Sequence, residues 1–83
     1  MKTLAGFHAV KARLKQKADS VREIYVDAQR SDARMRELKA IAEKLGVRLI
    51  AVDAKRLDGL AGGARHQGVV AMADEMRMPQ FIE

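Results

Sequence analysis

The stretch AGGARHQGVVAMA, Ala61 to Ala73, sets two glycines, an arginine, a histidine and a glutamine directly before an apolar run. Guanidinium, imidazole and primary amide offer charged and neutral hydrogen bonds, so the segment could serve as a hinge, a reactive site or a recognition loop. A reactive site needs partners elsewhere, and the chain supplies few. His8 and His66 have no histidine or cysteine neighbour at ligand spacing, so a metal site would have to be assembled wholly by the fold. No G-x-x-x-x-G-K-S/T or G-x-G-x-x-G element occurs, and GLAGG lacks the lysine and following long helix of a phosphate-binding loop. Ser20 precedes a strand and Ser31 reads as a helix cap, so neither is placed as a nucleophile. None of the eleven Asp and Glu residues sits in the distinctive apolar setting that acid catalysis needs. The residues alone therefore yield no catalytic set, no metal site and no cofactor site.

Groups that attract polyanions are better represented. Sixteen Lys and Arg against eleven Asp and Glu give a net charge of +5, which draws polyanions through long-range electrostatics and counterion release. The surplus is uneven: Met1 to Ala18 contains Lys2, Lys11, Arg13, Lys15 and Lys17 and no acid. Such a face could meet nucleic-acid phosphates, or its cations could merely snorkel around an apolar stripe. Gly6 would permit a tight strand-to-helix turn, with His8 at the helix amino end either beside an anion or as a capping and packing residue.

Eighty-three residues with a hydrophobic share of 48% fit one small globular domain. The absence of cysteine excludes disulfides and thiolate chemistry and fits a reducing, cytoplasmic setting. The amino end MKTLAGFHAVKARL is a poor signal peptide, and nowhere is there an apolar run of the roughly 18 residues that a membrane span requires.

The elements that must position these groups follow from periodicity. SDARMRELKAIAEKLG places Met35, Leu38, Ile41, Ala42 and Leu45 at helical spacing, with Ser31 or Asp32 as the cap and Gly46 as the stop. Phe7, Val10, Leu14 and Ala18 make a second helical stripe. VREIYVDA and VRLIAV read as strands covered on both faces, Asp53 caps a short helix AKRLDGL ended by Gly62 and Gly63, and QGVVAMA supplies a last strand. With a possible short strand first, the order is strand, helix, strand, helix, strand, short helix, strand. That alternation predicts an α/β sandwich, a central mixed sheet with helices packed on it. DEMRMPQFIE then loses the pattern and reads as a linker or frayed tail.

GFHAV (Gly6 to Val10) and HQGVVA (His66 to Ala71), with VREIYVDA, a long helix and GVRLIAVD between them, resemble the amino-terminal substrate-binding domain of the SpoU/TrmH family of RNA ribose 2'-O-methyltransferases. The likeness covers about Leu4 to Asp74 and is nearest to members that methylate a guanosine ribose in 23S rRNA. It implies a fold resembling RNA-binding ribosomal proteins, with residues 1–74 as the RNA-binding domain and 75–83 as the start of an interdomain linker. In the family a separate knotted domain holds S-adenosylmethionine and forms the homodimer, so this segment itself would carry no cofactor and no catalytic residue, with rRNA as its partner.

The candidate RNA-binding residues are Lys11, Arg13, Lys15, Gly62, Gly63, Arg65, His66 and Gln67. Two roles are open to the loop. Its glycines can permit close approach while Arg65, His66 and Gln67 reach phosphate, ribose hydroxyl or a splayed base. Alternatively the glycines end a helix, and His66 and Gln67 satisfy buried backbone groups beside the last strand. The first role is preferred for Arg65 and the second for His66. With Phe7, Tyr25 and Phe81 the only aromatics, base stacking is not the expected main mode. A free-standing ribosomal-type RNA-binding protein, and a protein-interaction domain using the helix from Ser31 to Leu45, are the competing readings.

Overall fold

The structure, a computed structural model, describes residues 2–74. Its elements are β1 (Lys2–Ala5), α1 (Phe7–Lys17), a 3-10 turn (Ala18–Ser20), β2 (Val21–Asp27), α2 (Ala33–Leu45), β3 (Arg48–Val52), α3 (Ala54–Ala61) and β4 (Val69–Ala73). The strands form one four-stranded sheet in the order β1-β4-β2-β3. β2 and β3 run parallel, while β4 is antiparallel to both β1 and β2. The expected mixed sheet with packed helices is thus present, and the first short strand is one of its edges. The expected linker at 75–83 lies outside the described residues.

The chain makes these elements for local reasons. Asp32 accepts the backbone N–H of Met35 at 3.3 Å and Asp53 that of Arg56 at 2.8 Å, so α2 and α3 each begin on an aspartate cap. α2 ends in a Schellman closure: Gly46 is left-handed (φ 75°), its N–H donates to the Glu43 carbonyl, and the Val47 N–H donates to the Ala42 carbonyl. The closure also explains a departure from the helical stripe. Met35, Leu38 and Ala42 are fully buried, but Leu45 is 45% exposed. The chain reverses just after Leu45, and Val47 packs against the core in its place.

Phe7, Val10 and Leu14 of α1 and Met35, Leu38 and Ala42 of α2 meet Ile24, Val26, Val69, Ala71 and Ala73 of the sheet in one core. α3 packs on strands β1, β2 and β4 from the other side, where alternation turns Val70 and where Leu57 is fully buried. Among the described strands β4 is the most fully covered, with Val69, Val70, Ala71 and Ala73 buried and Met72 partly so. The expectation that VREIYVDA and VRLIAV are doubly covered is corrected here: β2 alternates between buried and accessible positions, and Arg48 and Ala51 of β3 are exposed. The physical cause is that β3 is an edge strand and α3, only eight residues long, is too short to roof the second face.

Leu38→Ala should cost about 2–5 kcal/mol of stability by opening a core cavity. Leu45→Ala should stay within about 0.5 kcal/mol. Chemical denaturation of the two variants checks both the core and the displaced end of the stripe.

Candidate functional site

The loop between α3 and β4 is built from backbone that side chains rarely adopt. Gly62, Gly63 and Gly68 have φ of 64°, 89° and 92°, and Gln67, at 55°, is the one non-glycine with positive φ among the described residues. Val69 donates to the His66 carbonyl at 2.9 Å, closing a tight turn over Gln67 and Gly68. Gly68 is buried, and a Cβ there would lie 3.0 Å from Cδ of Arg30 and 3.3 Å from its Nη1. This glycine is therefore required by both conformation and space.

His66 supports the loop from within. Its Nδ1 accepts the Gly68 N–H at 2.9 Å, which places the ring proton on Nε2, 2.6 Å from Oδ1 of Asp58. One ring nitrogen is thus occupied by backbone and the other by a carboxylate, the kind of contact expected of His66 in its structural reading. Arg65, Gly62 and Gly63 stand exposed on the same loop.

Arg30, in the connection between β2 and α2, is the participant that sequence reasoning missed. Its Nη1 donates to the Gln67 carbonyl, its Nε and Nη2 fork onto the Asp32 carboxylate at 3.3 and 3.1 Å, and its guanidinium lies 5.2 Å from the Phe7 ring centroid. The hydrogen bonds from Arg30 hold the Asp32 carboxyl below its ordinary range. An arginine two residues before a helix cap is a faint local signal. Its contact with Gln67 spans 37 residues and leaves none.

Between α1, α2 and this loop lies a groove of about 590 Å³, lined by Phe7, His8, Lys11, Lys15, Arg34, Glu37 and Gln67 among others. The fold thereby brings Lys11 and Lys15 of the basic helix together with Gln67 of the loop and adds Arg34. Lys11 pairs with Glu37 at 3.2 Å, so the acid-free stretch is not acid-free in space. Three cationic side chains still face one carboxylate.

Arg13, a candidate for the same surface, is corrected. It is only 8% exposed and donates to Ser20 Oγ at 3.2 Å and the Asp74 carbonyl at 2.8 Å. Its position on α1 points it at the end of β4, away from Lys11 and Lys15. Arg22 is likewise engaged, by the Asp74 carboxylate at 2.9 Å, which raises the guanidinium above its ordinary range. On the opposite face Tyr25 donates to Glu23, and that hydrogen bond pushes the phenol upward. Among the described residues no three His, Asp or Glu side chains converge as a metal site would require, and no helix is long and apolar enough to cross a membrane.

Residues 3–79 match the family model described as RNA 2'-O ribose methyltransferase substrate binding. The chain is 57% identical over 80 residues to the 23S rRNA (guanosine-2'-O-)-methyltransferase RlmB of Bordetella pertussis, 52% over 77 residues to that of Ralstonia nicotianae and 46% over 83 residues to that of a Burkholderia species. These matches cover 96%, 93% and 100% of this chain but 33%, 31% and 34% of those proteins. The chain thus spans about a third of the length of the curated relatives it matches.

His66→Ala should strand the buried Gly68 N–H and lower stability by about 1–3 kcal/mol, whereas Arg65→Ala should melt like the parent, as differential scanning will show. Asp32 has a folded-state pKa below its unfolded value. Its contribution is complete above the unfolded value and drains away as pH falls through the folded one. Asp32→Asn should therefore flatten the acid limb of the stability profile below about pH 4.

Proposed function

The chain belongs to the family of RNA 2'-O ribose methyltransferase substrate-binding domains, and on that premise we propose that it holds 23S rRNA for methylation by a catalytic domain elsewhere in the protein. In this reading S-adenosylmethionine and the reacting groups belong to that other domain, which also forms the homodimer. Residues 75–83 begin the linker to it, and the protein works in the cytoplasm. The segment described here supplies recognition and no chemistry.

The observation that carries the proposal is the groove uniting Lys11, Lys15 and Arg34 with Gln67. It sets three cations against one carboxylate between two helices, and those cations are flexible side chains that can follow a phosphate backbone. The Gln67 amide and the His8 ring present hydrogen-bonding groups that can reach ribose hydroxyls or base edges. Exposed Arg65, with the accessible backbone of Gly62 and Gly63, extends the contact along the loop.

Phe7 is only 4% exposed, with the Arg30 guanidinium over its ring, so the one phenyl ring in the groove cannot take a base. Shape and backbone recognition therefore fit better than stacking. The competing use of α2 as a protein-docking helix loses its basis, because Met35, Leu38 and Ala42 are all fully buried in this protein's own core.

Affinity for 23S rRNA fragments should fall linearly in log–log form with salt. Lys15→Ala and Arg34→Ala should each reduce the slope by about 0.7–0.9, as the loss of one phosphate contact requires. Arg65→Ala should weaken binding without lowering the melting temperature. A flat salt series for the unaltered chain would sink the proposal.

A further inference from the structure

We propose that Arg30 is a positioning residue for RNA recognition: without touching RNA, it holds Gln67 in the left-handed conformation that sets the glutamine amide at the groove. This deepens the reading of the groove as the RNA site and rests on it. The observations concern three segments that Arg30 joins. Its Nη1 holds the Gln67 carbonyl, its Nε and Nη2 hold Asp32, the cap of α2, and its guanidinium lies over Phe7, the first residue of α1. Gly68 leaves the space through which its stem passes.

Gln67 would not adopt this backbone unaided. A non-glycine residue at φ 55° occupies a sparsely populated region and persists only where surrounding contacts over-determine it. The carbonyl that Arg30 grips is the one whose direction the Gln67 and Gly68 dihedrals decide. With that carbonyl fixed, the Gln67 side chain lies over Gly6, its Oε1 3.5 Å from where a Cβ on Gly6 would stand, beside the opening turn of α1. Asp32 carries the same constraint to α2, which brings Arg34 and Glu37 to the opposite wall.

The geometry also separates Arg30 from Lys11, Lys15 and Arg34. Both edges of its guanidinium are committed to protein acceptors and one face to an aromatic ring. A lysine could not replace it, since one ammonium cannot reproduce a planar fork on Asp32 and a third bond to Gln67. Arg30 should thus affect how well the groove binds while leaving the number of phosphates it neutralises unchanged.

Binding of 23S rRNA fragments across a salt series, with melting curves for each variant, tests this. Arg30→Met and Arg30→Lys should each weaken binding about tenfold, with the log–log salt slope of the unaltered chain retained. Gln67→Gly, which adopts the left-handed backbone without support, should weaken binding to a similar degree, and adding Arg30→Met to it should cost little more. A slope reduced by about 0.7–0.9 in the Arg30 variants would make Arg30 a direct phosphate contact and overturn the proposal. So would additive losses in the double variant, or Arg30→Met binding at full strength while folded. Absence of salt-dependent binding by the unaltered chain would instead remove the groove reading itself, so the two failures are distinguishable.

Discussion

The last strand to be made, β4, sits between the first two, and its placement constrains everything near the site. Val69, Val70, Ala71 and Ala73 have no accessible surface, so the strand must be small, apolar and hydrogen-bonded on both edges. Its entry is pinned from both sides at once. The Gly6 N–H donates to Val69 and the Asp27 N–H to Gly68, at 3.0 and 2.9 Å. The chain leaving α3 must therefore turn sharply into the middle of the sheet, and the left-handed sequence Gln67–Gly68 is how it does so. Because that turn falls beside the opening turn of α1, polar side chains on the loop and cations on the helix come to share a groove. The site is a consequence of where a buried strand has to begin.

Electrostatics then decides which cations remain available. The basic stretch from Lys2 to Lys17 looks uniform along the chain, but the fold sorts it. Arg13 turns inward to Ser20 and Asp74, Lys11 shares Glu37, and Lys15 faces the groove without a salt-bridge partner among the described residues. An exposed pair such as Lys11–Glu37 adds little stability. Its effect is to moderate the potential of the groove wall, and it is open to exchange when a phosphate offers a stronger partner. Arg13 is different: its donors satisfy a buried hydroxyl and a strand-end carbonyl, so it belongs to the architecture.

What could be read in the sequence was what depends on neighbours in the chain. The limits of α2 follow from a cap, a stripe and a glycine within sixteen positions, and the structure keeps the cap, the glycine and all of the stripe but its last residue. The resemblance carried by GFHAV and HQGVVA identified the family, and both segments lie where the groove and its loop form. What could not be read depends on which elements become neighbours. A β-branched run looks the same whether it fills the centre of a sheet or, like β3, lies at its edge. Leu45 keeps the helical period but is left outside by the reversal at Gly46. The inward turn of Arg13 and the clamp of Arg30 on Gln67 join residues 61 and 37 positions apart, beyond any local pattern.

That same distance explains why the loop can be both glycine-rich and well defined. Glycines lower the barrier to unusual backbone but also raise the entropy lost on ordering, so a loop with three of them is rigid only if tertiary contacts supply the restraint. Here the restraints come from separate directions: His66 holds the Gly68 N–H from the α3 side, Arg30 holds the Gln67 carbonyl from the α2 side, and Val69 is already in the sheet. The second and third of these join segments far apart in the chain. The polar groups at the groove are consequently pre-set by folding, and a ligand that meets them need not bear the ordering cost of the loop.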